Sequence, residues 1–377
     1  MIASSHNNLI DEFRQISFSA NACEINACGV PVLHSKDVLC VTWSPGSRRM
    51  HDIAYLTGGS EWNQSLLYRV KPLAPIRYLL QGLVTTFKLL RTRPLIVIAQ
   101  NPPIFAPLTC LFYRLLTKTR LVVDHHCIWS EKTITYPIAR NFIRLLEKVV
   151  ARWVDLNVTP NPIWTQRVLS LGAKKAITLI DFVNSDRWDQ MREDESATLG
   201  GGRTIVVAPC GGHPLERPEI LMEAIRNVDA VLIVTGDEKL ANRLKASFRK
   251  HAQENVVITG YLSESKYAQL IRTCTAVANI SDEPNTIPYF IYEAISTGRP
   301  VISSDNPAIR SVFDDYLLIV QRNTPELVMK ALLDALGNFK KYSALSKEVH
   351  LQVETMRRHQ ESDLFLALSE YITALES

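Results

Sequence analysis

Strand-length apolar runs alternate with helix-period segments from Asp37 almost to the end of the chain, and this alternation restricts the fold more than any other feature. In the first half, Val38–Trp43, Ser65–Val70, Leu95–Ala99, Arg120–Asp124, Leu156–Thr159 and Ile177–Ile180 read as strands. Helical periodicity fills Arg48–Leu56, Pro75–Leu90, Ile104–Leu116, Pro137–Trp153 and Pro162–Leu171. Continuous β-branched runs leave no wet face, which implies a parallel sheet covered by helices on both sides. The second half repeats the theme. Strands are expected at Thr204–Ala208, Ala230–Thr235, Val256–Ile258, Ala276–Ile280 and Val301–Ser303. Helices are expected at Arg217–Val228, Glu238–Ala252, Glu264–Thr273, Ile287–Ser296 and Pro325–Leu336. Residues 1–35 follow neither period and read as an N-terminal extension.

A chain of 377 residues exceeds one ordinary core. Between the halves, Ser185–Arg203 holds an acidic patch and the triple Gly200-Gly201-Gly202, which is linker chemistry. The reading is therefore α/β: two Rossmann-like domains, 1–186 and 187–350, facing each other across a cleft. Seven scattered cysteines without CxxC spacing argue for a reducing compartment and against a metal site. The first residues have no basic region followed by an apolar core, so no secretory signal is expected.

The net charge of +4 is unevenly spread. Lys71–Trp153 carries +10, from thirteen Lys and Arg against Asp124, Glu131 and Glu147, leaving −6 elsewhere. A basic first half meets an anion, either membrane lipid or a diphosphate-linked acceptor. Aromatic interleaving is too sparse there for nucleic acid. The longest apolar run, Pro94–Leu116, is broken by Pro102, Pro103 and Pro107 and cannot be one spanning helix. Together with Leu-rich Pro75–Leu90 and its flanking cations, it suits the surface of a membrane.

The most informative local stretch is Ser281–Pro300, SDEPNTIPYFIYEAISTGRP. A polar loop carrying Asp282, Glu283, Asn285 and Thr286 follows a strand and feeds a helix N-terminus at Ile287, where open α/β sheets bind phosphorylated ligands. Glu293 lies two turns in, placed for the paired hydroxyls of a ribose or sugar, and Gly298 and Pro300 stop the helix. Earlier, Gly211-Gly212 ends the first strand of the second domain and Arg217 opens the next helix. Such glycines let backbone N–H groups approach a pyrophosphate beside a cation. Neither a Walker loop nor a G-x-G-x-x-G motif is present. In the first domain, Asp124-His125-His126 closes a strand at the cleft, offering a general base in Asp124 or His126. Neighbours on a strand point to opposite faces, so this run does not chelate one zinc ion. The turn Ser44–Ser47, with Gly46 and Arg48, could meet an acceptor phosphate.

Glu293-Ala294-(x3)-Gly298-(x)-Pro300-Val301-Ile302 resembles the EA-x3-G-x-PV signature of the family 4-type (group 1) glycosyltransferases, which have the GT-B fold. The resemblance implies that Glu293 grips the nucleotide ribose. The family's second Glu, eight residues earlier and on the donor sugar, is here Asn285. Aligned on Leu221 and Ala224, the family's two diphosphate cations fall on Gly211 and Glu216, with Arg217 one residue late. The resemblance also implies that the last helix, residues 351–377, packs back on the first domain, and that His126 is the family's strand-end His. The run VVDHHCIWS is in addition similar to the IDWHN segment of chitobiosyl-diphosphodolichol β-mannosyltransferases, matching at Asp124 and His126.

The resulting expectation is a nucleotide-sugar-dependent glycosyltransferase of polysaccharide or glycolipid synthesis, with the donor held by Gly211, Gly212, Arg217, Asn285, Thr286, Ile287 and Glu293. Acceptor binding falls to Gly46 and Arg48, and catalysis to Asp124 or His126. A helix dipole and Arg217 would stabilise the leaving diphosphate, so no cofactor and no divalent metal are expected. The partners are a nucleotide-sugar, a glycan or lipid-diphosphate-linked acceptor and an anionic membrane surface, without nucleic acid. The place is the cytoplasm, peripheral to the inner face of a membrane. A nucleotide-sugar epimerase and a non-catalytic partner subunit are the rival readings.

Overall fold

The computed structural model describes residues 37–66, 74–126, 136–181, 183, 203–248 and 254–376. The expected N-terminal extension and residues 185–202 of the expected linker lie outside them.

The first lobe runs β1 (Val38–Thr42), α1 (Arg48–Leu56), β2 (Ser60–Asn63), α2 (Ala74–Thr92), β3 (Ile96–Asn101) and α3 (Phe105–Leu116). It continues through β4 (Arg120–His125), α4 (Pro137–Trp153), β5 (Leu156–Thr159), α5 (Pro162–Ser170) and β6 (Ala176–Thr178). Its strands form one parallel six-stranded sheet in the order β2-β1-β3-β4-β5-β6. β1 and β3 are buried at every residue, as the unbroken apolar runs require. One face, through Leu39, Val41, Val97, Ala99, Leu121 and Val123, packs on α2, α3 and α4.

The second lobe repeats the plan. It comprises β7 (Ile205–Pro209), α6 (Pro218–Ala224), β8 (Val231–Thr235), α7 (Glu238–Phe248), β9 (Val256–Gly260), α8 (Glu264–Thr273) and β10 (Ala276–Asn279). Then follow α9 (Tyr289–Ser296), β11 (Val301–Ser304), α10 (Pro307–Phe313), β12 (Leu318–Val320) and α11 (Pro325–Gly337). The sheet is again parallel and six-stranded, ordered β12-β11-β10-β7-β8-β9. α9 ends at Gly298, where φ is +67° and an added Cβ would come within 2.9 Å of the Lys347 side chain. The turn and the close approach both demand glycine.

A single 38-residue helix, α12 (Phe339–Glu376), closes the chain. Its early residues Val349 and Val353 join the second lobe's core, and Leu364, Ala367, Leu368 and Ile372 pack on the first sheet beside α1. Arg357 donates to the Ile180 carbonyl, and the Ile180 N–H donates to Gln360 at 2.9 Å. The helix therefore fastens both lobes.

Four departures from the sequence reading have local causes. The strand expected at Ser65–Val70 lies at Ser60–Asn63, a mostly exposed edge strand whose polar SEWN sequence lacks the apolar signal; residues 67–70 lie outside the described set. The helix expected from Arg217 to Val228 begins at Pro218 and finishes as a 3-10 turn, Ile225–Asn227. α9 starts at Tyr289 rather than Ile287, because Ile287 turns into the second core. The last helix starts at Phe339, twelve residues before the expected Leu351, and so belongs to both lobes.

Candidate active site

Both sheets reverse direction beside their first strand. In the second lobe β7 neighbours β10, so the loops after these strands flank the crevice at the carboxyl edge. The two loops are tied together. Arg217 N–H donates to the Ile280 carbonyl at 2.8 Å, Asp282 N–H donates to the Leu215 carbonyl at 2.9 Å, and Glu216 bridges Ser281. In the first lobe the reversal lies between β1 and β3, beside the turn that ends at Ser47. Ser47 caps α1 by accepting from Met50 N–H at 3.3 Å, which sets Arg48 in the first turn, aimed across the gap.

Arg48 meets Glu293 there. Arg48 Nη1 donates to Glu293 Oε1 at 2.9 Å, and the Tyr267 hydroxyl donates to Oε2 at 2.8 Å. The Glu293 side chain is almost fully buried, and that burial raises its pKa, although Tyr267 and Arg48 both favour the charged form. Burial and then the Glu293 charge push the Tyr267 phenol well above its ordinary value, so it remains a donor. Arg48 Nη2 lies 3.2 Å from Glu264 Oε1, and its guanidinium sits 5.7 Å from the centre of the Tyr289 ring. Burial opposes its charge, but Glu293 and Glu264 outweigh that and hold its pKa above the ordinary value. An expected acceptor ligand and the expected ribose ligand are thus brought into direct contact.

The glycine loop is occupied by the chain itself. Gly211 N–H donates to Glu216 Oε1 at 2.8 Å and His213 N–H to Glu216 Oε2 at 3.0 Å, with Gly212 N–H contributing and Gly212 at φ +79°. These converging N–H groups make an anion nest, and a carboxylate fills it. Burial raises the Glu216 pKa against the pull of those donors. The Gly211-Gly212 loop expected to receive a diphosphate thus carries a carboxylate of the chain itself. Arg217 is also engaged, with Nη2 2.7 Å from Asp282 Oδ2 and Nη1 2.8 Å from the Pro214 carbonyl.

The Asn285–Ile287 loop borders the same crevice through its backbone. The Asn285 carbonyl accepts from Asn161 Nδ2 of the first lobe at 3.2 Å, and the Thr286 carbonyl accepts from Asn306 Nδ2 at 3.0 Å. The Ile287 side chain is in the hydrophobic core, so only its main chain can serve a donor.

In the first lobe Asp124 is fully buried, with Oδ1 accepting from Arg49 Nε at 2.8 Å. Arg49 Nη1 also donates to Asp181 Oδ1 at 2.8 Å and to the Leu179 carbonyl at 2.7 Å. A carboxylate fully buried against a guanidinium cannot reach an acceptor, which removes Asp124 from the expected pair. His125 is likewise buried, hydrogen-bonded to Asn157 Oδ1 at 2.9 Å, and burial lowers its pKa and keeps it neutral despite that bond. His126, one residue on, is exposed. Gly46 has φ +75° and open space where a Cβ would stand. Sequence reasoning missed Tyr267, Glu264, Tyr289 and the Arg49–Asp124–Asp181 cluster. Only Glu216 left a sign, by standing where the family pattern has Lys.

Among the described residues, no group of three or more His, Cys, Asp or Glu side chains is placed to hold a metal ion. Cys40, Cys110 and Cys274 are free and buried, and burial raises each thiol to about 12, so none is a reactive nucleophile.

Residues 205–338 match the family described as glycosyl transferases group 1, a span that contains the glycine loop and Glu293. The second lobe is a group 1 glycosyltransferase domain. Solved structures similar over most of the chain share its two-lobed GT-B fold. HepE of Anabaena, in complex with UDP, superposes with a TM-score of 0.66 at 12% identity, covering 88% of this chain and 99% of its own. Sucrose-phosphate synthase of Thermosynechococcus elongatus gives 0.72 at 11%, covering 89% and 99%. A putative UDP-N-acetylglucosamine 2-epimerase from Listeria monocytogenes gives 0.57 at 15%, covering 82% and 90%. No curated protein matches the sequence. Sequence similarity thus marks the second lobe, and structural similarity the fold that both lobes share.

Proposed function

We propose that this glycosyltransferase builds a polysaccharide or glycolipid by moving a sugar from a nucleoside diphosphate to a glycan or lipid-diphosphate-linked acceptor at the cytoplasmic face of a membrane. The observation that carries the donor half is Glu293, a buried carboxylate with Oε1 held by Arg48 from across the gap and Oε2 held by Tyr267 of its own lobe. A ribose diol offers the same kind of donors. The backbone of Asn285–Ile287 and the N-terminus of α9 lie beside the phosphates in this reading, and no divalent metal takes part. HepE, which holds UDP, makes uridine nucleotides the first to try. Arg217 contributes only by leaving Asp282, and phosphate enters the glycine nest only by displacing Glu216. His126 remains the proposed base for the acceptor hydroxyl.

The membrane half rests on the outer surface of α2, α3 and α4. Ile76, Leu79, Leu83, Phe87 and Leu90 form an exposed apolar stripe along α2, continued by Phe112, Leu115 and Leu116 on α3 and Ile138, Phe142, Leu145 and Trp153 on α4. These three helices contain one acid, the buried Glu147, against Arg77, Lys88, Arg91, Arg114, Arg140, Arg144, Lys148 and Arg152. An apolar face this wide with a cationic margin suits an anionic bilayer and offers nothing for nucleic-acid bases. Among the described residues, no helix is long and apolar enough to cross a membrane. The test is incubation with nucleotide-sugars and acceptor-bearing anionic vesicles. Transfer of sugar to the vesicle acceptor supports the proposal; interconversion of the donor without acceptor product supports the epimerase reading that the Listeria neighbour suggests.

A further inference from the structure

Group 1 glycosyltransferase chemistry ends with a departing nucleoside diphosphate, and this second lobe is short of charge to receive it. The positions aligned with the family's cations are Gly211 and Glu216. Glu216 places a carboxylate in the nest where phosphate oxygens would sit, and Arg217 is spent on Asp282 and the Pro214 carbonyl. Arg48 answers the shortage from the other lobe. Its guanidinium lies 2.9 Å from the carboxylate assigned to the ribose diol. A ribose carries its diol and its phosphate arm on one small ring, so a cation touching the diol's partner is within a side-chain swing of the first phosphate.

The rest of the Arg48 environment permits that swing. Its side chain is 46% exposed, and its second partner, Glu264, is equally exposed at 46%. Such a surface pair holds weakly. Tyr289 offers a flat face that tolerates rotation of the guanidinium plane. When the ribose hydroxyls take over the Glu293 oxygens, Arg48 loses its buried partner and turns to the nearest anion.

We propose that Arg48 is the principal diphosphate-binding cation of this enzyme, supplied across the gap so that donor binding draws the lobes together. This rests on the donor reading of Glu293. In the transfer, the bond between the sugar's anomeric carbon and the diphosphate oxygen breaks with its electron pair left on that oxygen, where Arg48 stabilises it. The acceptor oxygen bonds to the anomeric carbon and its proton passes to His126, the proposed base, and from there to the medium.

Calorimetric titration of the full chain with UDP, GDP and their parent nucleosides separates the possibilities. For whichever base the wild type binds, Arg48→Gln weakens the diphosphate more than tenfold and leaves the nucleoside unchanged, and Arg48→Lys recovers part of the loss. If Arg48 only fastens the lobes, diphosphate and nucleoside change by the same factor or neither changes, and the assignment is overturned. A melt without ligand checks folding; should Arg48→Gln not fold, Arg48→Lys is judged by the same diphosphate-to-nucleoside ratio. A wild type that binds diphosphate while the variants keep that ratio overturns Arg48 alone; a wild type that binds no nucleotide overturns the donor reading and Arg48 with it.

Discussion

The two lobes share one topology and use it in opposite ways. Each is a parallel six-stranded sheet with a reversal beside its first strand. At the reversal the second lobe holds its polar groups in separate pairs: Glu216 on the nest, half-exposed Arg217 on Asp282, and buried Glu293 on Arg48 of the first lobe. The first lobe seals its equivalents. Arg49, Asp124 and Asp181 form a buried cluster, and His125 is fixed between Asn101 and Asn157. Their outer surfaces differ in the same sense, since exposed large apolar residues crowd α2, α3 and α4 but are scattered on the second lobe. The same scaffold thus carries separate polar pairs in one lobe and, in the other, a sealed cluster behind a broad exposed apolar face.

The largest expected effect lies on that outer surface. Leu83→Glu with Phe87→Glu should abolish binding to anionic vesicles, since each inserted side chain is worth about 1.5–3 kcal/mol. Leu333→Glu on the second lobe should leave sedimentation with vesicles unchanged. Equal losses from both variants would erase the contrast between the surfaces.

Next comes the sealed cluster. Arg49→Met should cost about 3–5 kcal/mol of stability in chemical denaturation, because it leaves Asp124 and Asp181 charged and unpaired around a buried site. A loss under about 1 kcal/mol would mean that the first lobe is no more sealed than the second.

How much of this could be read in the sequence follows the same division. The parallel strands were legible because β1, β3, β7 and β10 are unbroken apolar runs. β2 was not, since an exposed SEWN edge strand carries no apolar period, and β12 has only three residues. α10 escaped although Asn306 caps it by accepting from Ala308 N–H at 2.8 Å. Glu293 was legible through its neighbours in the chain. Its partner Arg48 is 245 residues away, and only the folded lobes bring the two together. Asp124 was misjudged for the converse reason: a polar residue at a strand end looks available until Arg49 is seen beneath it.

A smaller effect concerns pH. Burial raises the Glu293 pKa, so its carboxylate takes up a proton above the ordinary glutamate range. The protonated acid loses acceptor capacity, so affinity for a nucleoside should be full above that raised pKa and fall as pH drops through it. Titration with a nucleoside keeps phosphate ionisation out of the measurement. Glu293→Gln should flatten the profile, and a wild-type profile already flat would remove Glu293 from the ribose.

The central claim, that the second lobe takes a sugar nucleotide on Glu293, is tested most directly by thermal melting of wild type and Glu293→Ala with UDP, GDP and their sugars. The account predicts that one nucleotide series raises the wild-type melting temperature, and that Glu293→Ala weakens that ligand by about 1–3 kcal/mol. No shift with any of these ligands, or an equal shift in both proteins, would contradict it.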